Sequence, residues 1–137
     1  PTEQPLSALL PLARRRLGRP YLWGGNTEDA ADCSGLIQSL VYQGSGVLLP
    51  KNTTDQRAVG ARIPSKAISP GDLVFVRGRS RNLGHVGLAL PCLQEDGISV
   101  IHSCLTKNEV LEELLPSFIT RYRFIGARRP VAWSSES

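Results

Sequence analysis

The chain has 137 residues, 41% hydrophobic and 20% charged, which fits one globular domain with a single core and excludes a mainly disordered chain. No apolar run approaches the roughly 18 residues of a membrane-spanning helix, and residues 1–10 lack the basic start and apolar core of a secretory signal. The net charge is +4 with a pI near 9.3, but aromatics make up only 6%, so the basic runs Arg14, Arg15, Arg16 and Arg77, Arg79, Arg81 read as solvated faces, with no nucleic-acid partner implied.

A helical stripe of Leu6, Leu9, Leu10, Ala13 and Leu17 opens the chain, and Pro11 either starts its regular part or kinks it. Gly18, Arg19 and Pro20 end that element. Residues 21–25 read as extended, with glycines that permit a tight turn or a close backbone approach, and residues 26–31 as a polar loop. Asp32 is a good N-cap type, and Leu36, Ile37, Leu40 and Val41 recur at helical spacing behind it. The pattern predicts a helix from Cys33 to about Gln43, closed by Gly44 and Gly46. Thr53 with Gln56 three residues on fits a capping box, predicting a short helix to about Val59.

Ser69-Pro70-Gly71 predicts a turn, and residues 72–76 a strand. Residues 78–83 read as a polar loop. Residues 85–90 and 98–104 read as two strands joined through a hairpin-type connection at 94–97. Residues 110–115 fit a helix or a strand, and residues 122–127 a last strand. Helices precede antiparallel strands, which predicts an α+β domain over residues 1–133, with 134–137 as a frayed tail. The absence of methionine points to a mature form or an excised domain, which leaves export open.

Three cysteines leave at least one unpaired; Cys92 and Cys104 lie in apolar strand-like segments and read as small core residues. Cys33 differs. In the first turn of a helix it sits among unpaired N–H groups at the positive end of the dipole, a setting that favours the nucleophilic thiolate. A cysteine nucleophile needs a base, and the base an orienting group. The chain offers His85, framed by Gly84 and Gly87, and His102 on the next predicted strand. Paired strands can bring both imidazoles to one face. Cys33, His85, His102 and Cys104 could supply four zinc ligands, but the absence of the usual short ligand spacing disfavours a metal site.

The motifs Tyr21-x-Trp23-Gly24-Gly25, Asp32-Cys33-Ser34-Gly35-Leu36, Pro70-Gly71-Asp72-Leu73-Val74-Phe75, Gly84-His85-Val86-Gly87 and Phe124-Ile125-Gly126-Ala127-Arg128-Arg129 follow one another in order. In this the chain resembles the NlpC-type, papain-like cysteine peptidases of bacteria, over about residues 6–130. The resemblance implies a papain-like α+β fold, N-terminal helices packed on an antiparallel sheet, with no metal or organic cofactor. It implies hydrolysis of peptidoglycan stem peptides, typically at the bond between the γ-carboxyl of D-glutamate and diaminopimelate or lysine. Cys33 would be the nucleophile, His85 the general base, His102 the polar third residue and Tyr21 an oxyanion donor. The spacing between His85 and His102 is longer than the family's and places an insertion near residues 91–97.

Around these, Trp23, Asp32, Ser34 and Gly84 are candidate substrate contacts, although Asp32 also reads as a helix cap, Ser34 as a small residue that clears a path, and Trp23 as a core residue. Gly35 reads as a close-packing glycine and Asp72 as the closure of the Pro-Gly turn. The same fold would also serve an N-acetylmuramoyl-L-alanine amidase, an acyltransferase or phage-type lysin, or an idle wall-binding module. The implied place of action is the periplasm or the extracellular cell wall, with an upstream targeting domain an open option.

Overall fold

The computed structural model describes residues 4–77, 84–94 and 96–134; the loop expected at 78–83, with Arg79 and Arg81, lies outside them, as does the tail from 135. In chain order the elements are β1 (Gln4–Pro5), α1 (Leu6–Arg14), α2 (Cys33–Ser45), α3 (Thr53–Gln56) and β2 (Ala61–Ile63). A 3-10 turn (Ser65–Ala67) follows, then β3 (Leu73–Arg77), β4 (Gly84–Pro91), β5 (Ile98–Cys104), β6 (Glu109–Leu114), α4 (Leu115–Arg121), β7 (Arg123–Arg129) and β8 (Trp133–Ser134). Six strands form one antiparallel sheet in the order β2-β7-β3-β4-β5-β6, while β1 and β8 pair in parallel. The expected α+β arrangement is present.

The α2 helix forms where its cap and stripe place it. Asp32 Oδ1 accepts from the Gly35 N–H at 2.7 Å, and Gly46, at φ +80°, closes the last turn by donating to Tyr42 O at 2.8 Å. Leu36, Ile37, Leu40 and Val41 are fully buried against Leu9 and Ala13 of α1 and against Leu73, Phe75, Val86 and Leu88 of the sheet. Each such side chain contributes roughly 1.5–3 kcal/mol. The sheet buries its other face as well. Val74, Val76, Ala89 and Val100 pack there with Phe118 of α4, which explains the unbroken apolar run of β3.

Several expectations change. Pro11 lies inside α1, and the helix still ends at Arg14. Residues 22–25 form a tight turn instead of continuing extended, with Gly24 at φ +76° and the Gly25 N–H on Leu22 O at 2.8 Å. The cap of α3 is Asn52, accepting from the Asp55 N–H at 2.8 Å, because Gln56 is drawn inward. Gln56 is fully buried, and its amide donates to Ser34 O and Pro50 O at 3.1 and 2.9 Å. The ambiguous stretch at 110–115 is mostly strand, and α4 follows it directly.

The basic run at the end of α1 is not a solvated face. Arg14 pairs with Glu112 at 3.1 Å, and Arg16 is 2% exposed. The Arg16 guanidinium donates to Thr27 O, Ser39 Oγ and Gln43 Oε1, tying the 26–31 loop to α2; Arg15 alone of the three is exposed. Asp72, buried at its turn as expected, accepts from the Ser69 N–H and bidentately from Arg129 at 2.7 and 2.9 Å. The three cysteines are free; Cys104 is buried, and Cys92 lies just past β4, half-buried.

Candidate active site

Cys33 is the first residue of α2. Its Sγ lies 3.9 Å from Thr53 Oγ1, and the backbone N–H groups of Val86 and Ser34 point to it. The Val86 nitrogen belongs to the peptide that follows His85, so the thiol is tied to the strand that carries the imidazole. Among the described residues Cys33 and His85 share no direct hydrogen bond. The N–H donors at the head of α2 favour thiolate, as the sequence predicts, but burial outweighs them and pushes the Cys33 thiol up. Position and burial therefore act on the Cys33 thiol in opposite directions.

The two histidines meet, though not as a directly opposed pair. In the β4–β5 register Leu88 faces Ile101, so His85 and His102 are diagonal neighbours on the face covered by α4. His85 Nε2 stands 2.9 Å from His102 Nδ1, and His102 Nε2 stands 2.6 Å from Glu113 Oε2 of β6. Phe118 and Tyr122 pack against both rings, with centroids 4.7–6.2 Å away. Burial holds His85 neutral, with His102 and Arg121 adding to the effect, at a pKa of about 3. Burial, then Arg121, brings His102 to about 3 as well. Glu113 alone would favour a charged His102, but the Arg121 guanidinium bonds the same carboxylate oxygen and offsets that charge.

These depressed values have a consequence for stability. An unfolded histidine titrates near 6.5, so between pH 6.5 and 3 the unfolded chain binds more protons than the folded one. The stability of the neutral pair is complete above about pH 6.5 and is lost as pH falls toward 3. The limiting slope is about 1.4 kcal/mol per pH unit for each histidine. Urea unfolding at pH 7 and pH 5 is expected to show this loss, and His102→Gln, which cannot charge, to lessen it. Equal losses in both proteins would show that His102 does not contribute.

Tyr21 lies near Cys33. Burial pushes its phenol up to about 12, with Cys33 and Asp32 contributing, so it keeps its proton at neutral pH and can donate it in a hydrogen bond. The other candidates divide. Trp23 is 74% exposed, so the core reading fails while a wall beside the site stays open to it. Asp32 spends both carboxylate oxygens inside the chain, on the Gly35 N–H and, at 2.9 Å, on the Gly24 N–H. Ser34 is buried, with its hydroxyl on Asp32 Oδ1, so it faces the helix packing and not a substrate. At Gly84 a Cβ would come within 3.1 Å of Thr53 Cγ2; this glycine makes room for Thr53, which is wedged between it and Cys33.

Among the described residues no three His, Cys, Asp or Glu are grouped to hold a metal, and the facing nitrogens of the two imidazoles are bonded to each other. A cavity of about 420 Å³, lined by Arg57, Arg62, Phe75, Phe124 and Arg128 among others, includes neither the thiol nor the imidazoles. Sequence reasoning missed Thr53 as a neighbour of the thiol, and it missed Glu113 and Arg121 altogether. The one local clue was the Leu115-Pro116 step, a helix-start signal that places α4 over the histidines.

The NlpC/P60 family model matches residues 18–129. The probable endopeptidase NlpC of Escherichia coli K12 is 32% identical over 113 residues, covering 82% of this chain and 70% of that protein. The gamma-DL-glutamyl hydrolase of Bacillus subtilis 168 is 36% identical over 78 residues, covering 56% of this chain but 19% of that much longer protein. A crystal structure of an NlpC/P60 family protein from Bacillus cereus ATCC 10987 superposes with a TM-score of 0.77 at 27% identity, over 95% of this chain and 41% of that one.

Proposed function

The chain belongs to the NlpC/P60 family, and we propose that it is a cysteine endopeptidase that hydrolyses peptidoglycan stem peptides. The observation that carries the reading is a thiol at the head of α2, joined through the Val86 N–H to the strand of a hydrogen-bonded histidine pair. A relative described as a gamma-DL-glutamyl hydrolase favours a bond at the γ-carboxyl of D-glutamate, and the motif resemblance adds diaminopimelate or lysine as the residue on its other side. Residues 1–133 act as one catalytic domain. Its place of action is the cell wall, outside the cytoplasm. No described helix is long and apolar enough to cross a membrane.

Cys33 attacks the scissile carbonyl while His85 takes its proton. The Tyr21 phenol and backbone N–H groups at the head of α2 stabilise the oxyanion. His85 then returns the proton to the leaving amine, forming a thioester. Water, deprotonated by His85, hydrolyses that ester and restores the thiol. Digestion of purified muropeptides followed by mass spectrometry tests the assignment. A new amine on diaminopimelate or lysine and a free γ-carboxyl on D-glutamate are expected. Release of lactyl groups from L-alanine would instead make the protein an amidase.

A further inference from the structure

We infer that Glu113 is a positioning residue that dictates which nitrogen of each histidine carries the proton, and so leaves the free lone pair on His85 Nδ1. The inference rests on the hydrolase reading for its catalytic meaning, but the protonation pattern follows from geometry. The Glu113 carboxylate is bonded through Oε2 to the Arg121 guanidinium, and an ionised carboxylate only accepts hydrogen bonds. His102 Nε2, 2.6 Å from that same oxygen, must therefore carry a hydrogen. A neutral imidazole has one N–H, so His102 Nδ1 is bare and accepts. Its partner at 2.9 Å is His85 Nε2, which must then be the donor. His85 Nδ1 is left unprotonated, the form a general base needs.

The chain of donors is anchored at its far end. Arg121 stacks over the Tyr122 ring at 4.7 Å, and Tyr122 in turn packs on His85 at 5.3 Å. Glu113 itself comes from β6, opposite Val100 and two residues from the position facing His102. Without Glu113, His102 is free to carry its hydrogen on Nδ1. That hydrogen would point at His85 Nε2, force the His85 proton onto Nδ1, and remove the base.

The chain has only two histidines, so long-range ¹H–¹⁵N spectra of the labelled protein at pH 7 report both tautomers directly. Both are expected as Nε2–H. Glu113→Ala is expected to put His102 into a tautomer mixture and to lower kcat on a synthetic L-alanyl-γ-D-glutamyl-diaminopimelyl peptide by about 10- to 100-fold with KM little changed. Glu113→Gln, which keeps a carbonyl oxygen as acceptor, is expected to restore the Nε2–H pattern and most of kcat. A wild-type His85 protonated on Nδ1 would overturn the inference, whether or not the variants fold. So would Glu113→Ala with unchanged tautomers and kcat. The spectra need no substrate, so inactivity toward the peptide would count against the hydrolase reading while an intact Nε2–H pattern still supported the role of Glu113.

Discussion

Replacing Cys33 with alanine is expected to abolish muropeptide hydrolysis, lowering kcat on the order of 10⁴-fold or more, as loss of a covalent nucleophile does elsewhere. The effect should be chemical and not structural. Cys33 is the first helical residue, where alanine is well tolerated, and its thiol makes one long side-chain contact, 3.9 Å to Thr53, beside the Val86 and Ser34 N–H groups. Stability should therefore stay within about 1 kcal/mol of wild type. Cys33→Ser separates the two properties further. It preserves a polar atom facing the Val86 and Ser34 N–H groups, yet its hydroxyl is a far weaker nucleophile than sulfur in the same buried place. Mass spectrometry of digested muropeptides and a urea melt of each variant make the test. Wild-type turnover in Cys33→Ala would remove the thiol from the mechanism; lost turnover with a collapsed melt would show only misfolding.

What could be read from the sequence was whatever depends on near neighbours. Asp32 and the stripe of Leu36, Ile37, Leu40 and Val41 lie within one helix, so cap and period define α2 almost to its ends. The glycine-framed His85 and the strand of His102 were legible as partners because a hairpin connects them. Their diagonal offset was not, since register is set by how Leu88 meets Ile101, a matter of the whole sheet. The run from Val110 to Phe118 carries apolar residues that suit either period. It becomes strand up to Leu114 because β5 supplies a ladder, and helix beyond because Pro116 suits a first turn. Glu113 sits at that junction, which hid it: an acidic residue in an amphipathic stretch looks like a solvated one. Thr53 was masked differently. The capping-box pattern accounted for it locally, while Gln56 was taken by the core and Asn52 took over the cap.

Gly35→Ala sets two rules against each other within α2. By helix propensity alone, alanine at the third position of a 13-residue helix should stabilise the protein by about 1 kcal/mol. Packing says the opposite. A Cβ at Gly35 would lie 1.9 Å from the Gly25 carbonyl oxygen and 2.8 Å from Asp32 Oδ1. Neither atom can swing clear without loss. Gly25 O accepts from the Asp32 N–H at 3.1 Å, and the Asp32 carboxylate holds both the Gly35 and Gly24 N–H groups, so the 22–25 turn and the helix cap are one unit. Overpacking of this kind outweighs propensity, and a net loss of about 2–4 kcal/mol is expected in urea unfolding. Turnover should fall too, because Tyr21 enters the same turn. Gly44→Ala in the same helix is the control: its Cβ would meet Trp133 Cη2 and Leu9 Cδ1 at 3.1 and 3.4 Å, side-chain atoms at longer range and not a backbone carbonyl. It should change stability by less than about 1 kcal/mol. Similar melts for the two variants would mean that the turn does not press on the head of α2, and the clamp that sets Tyr21 beside Cys33 would be lost with it.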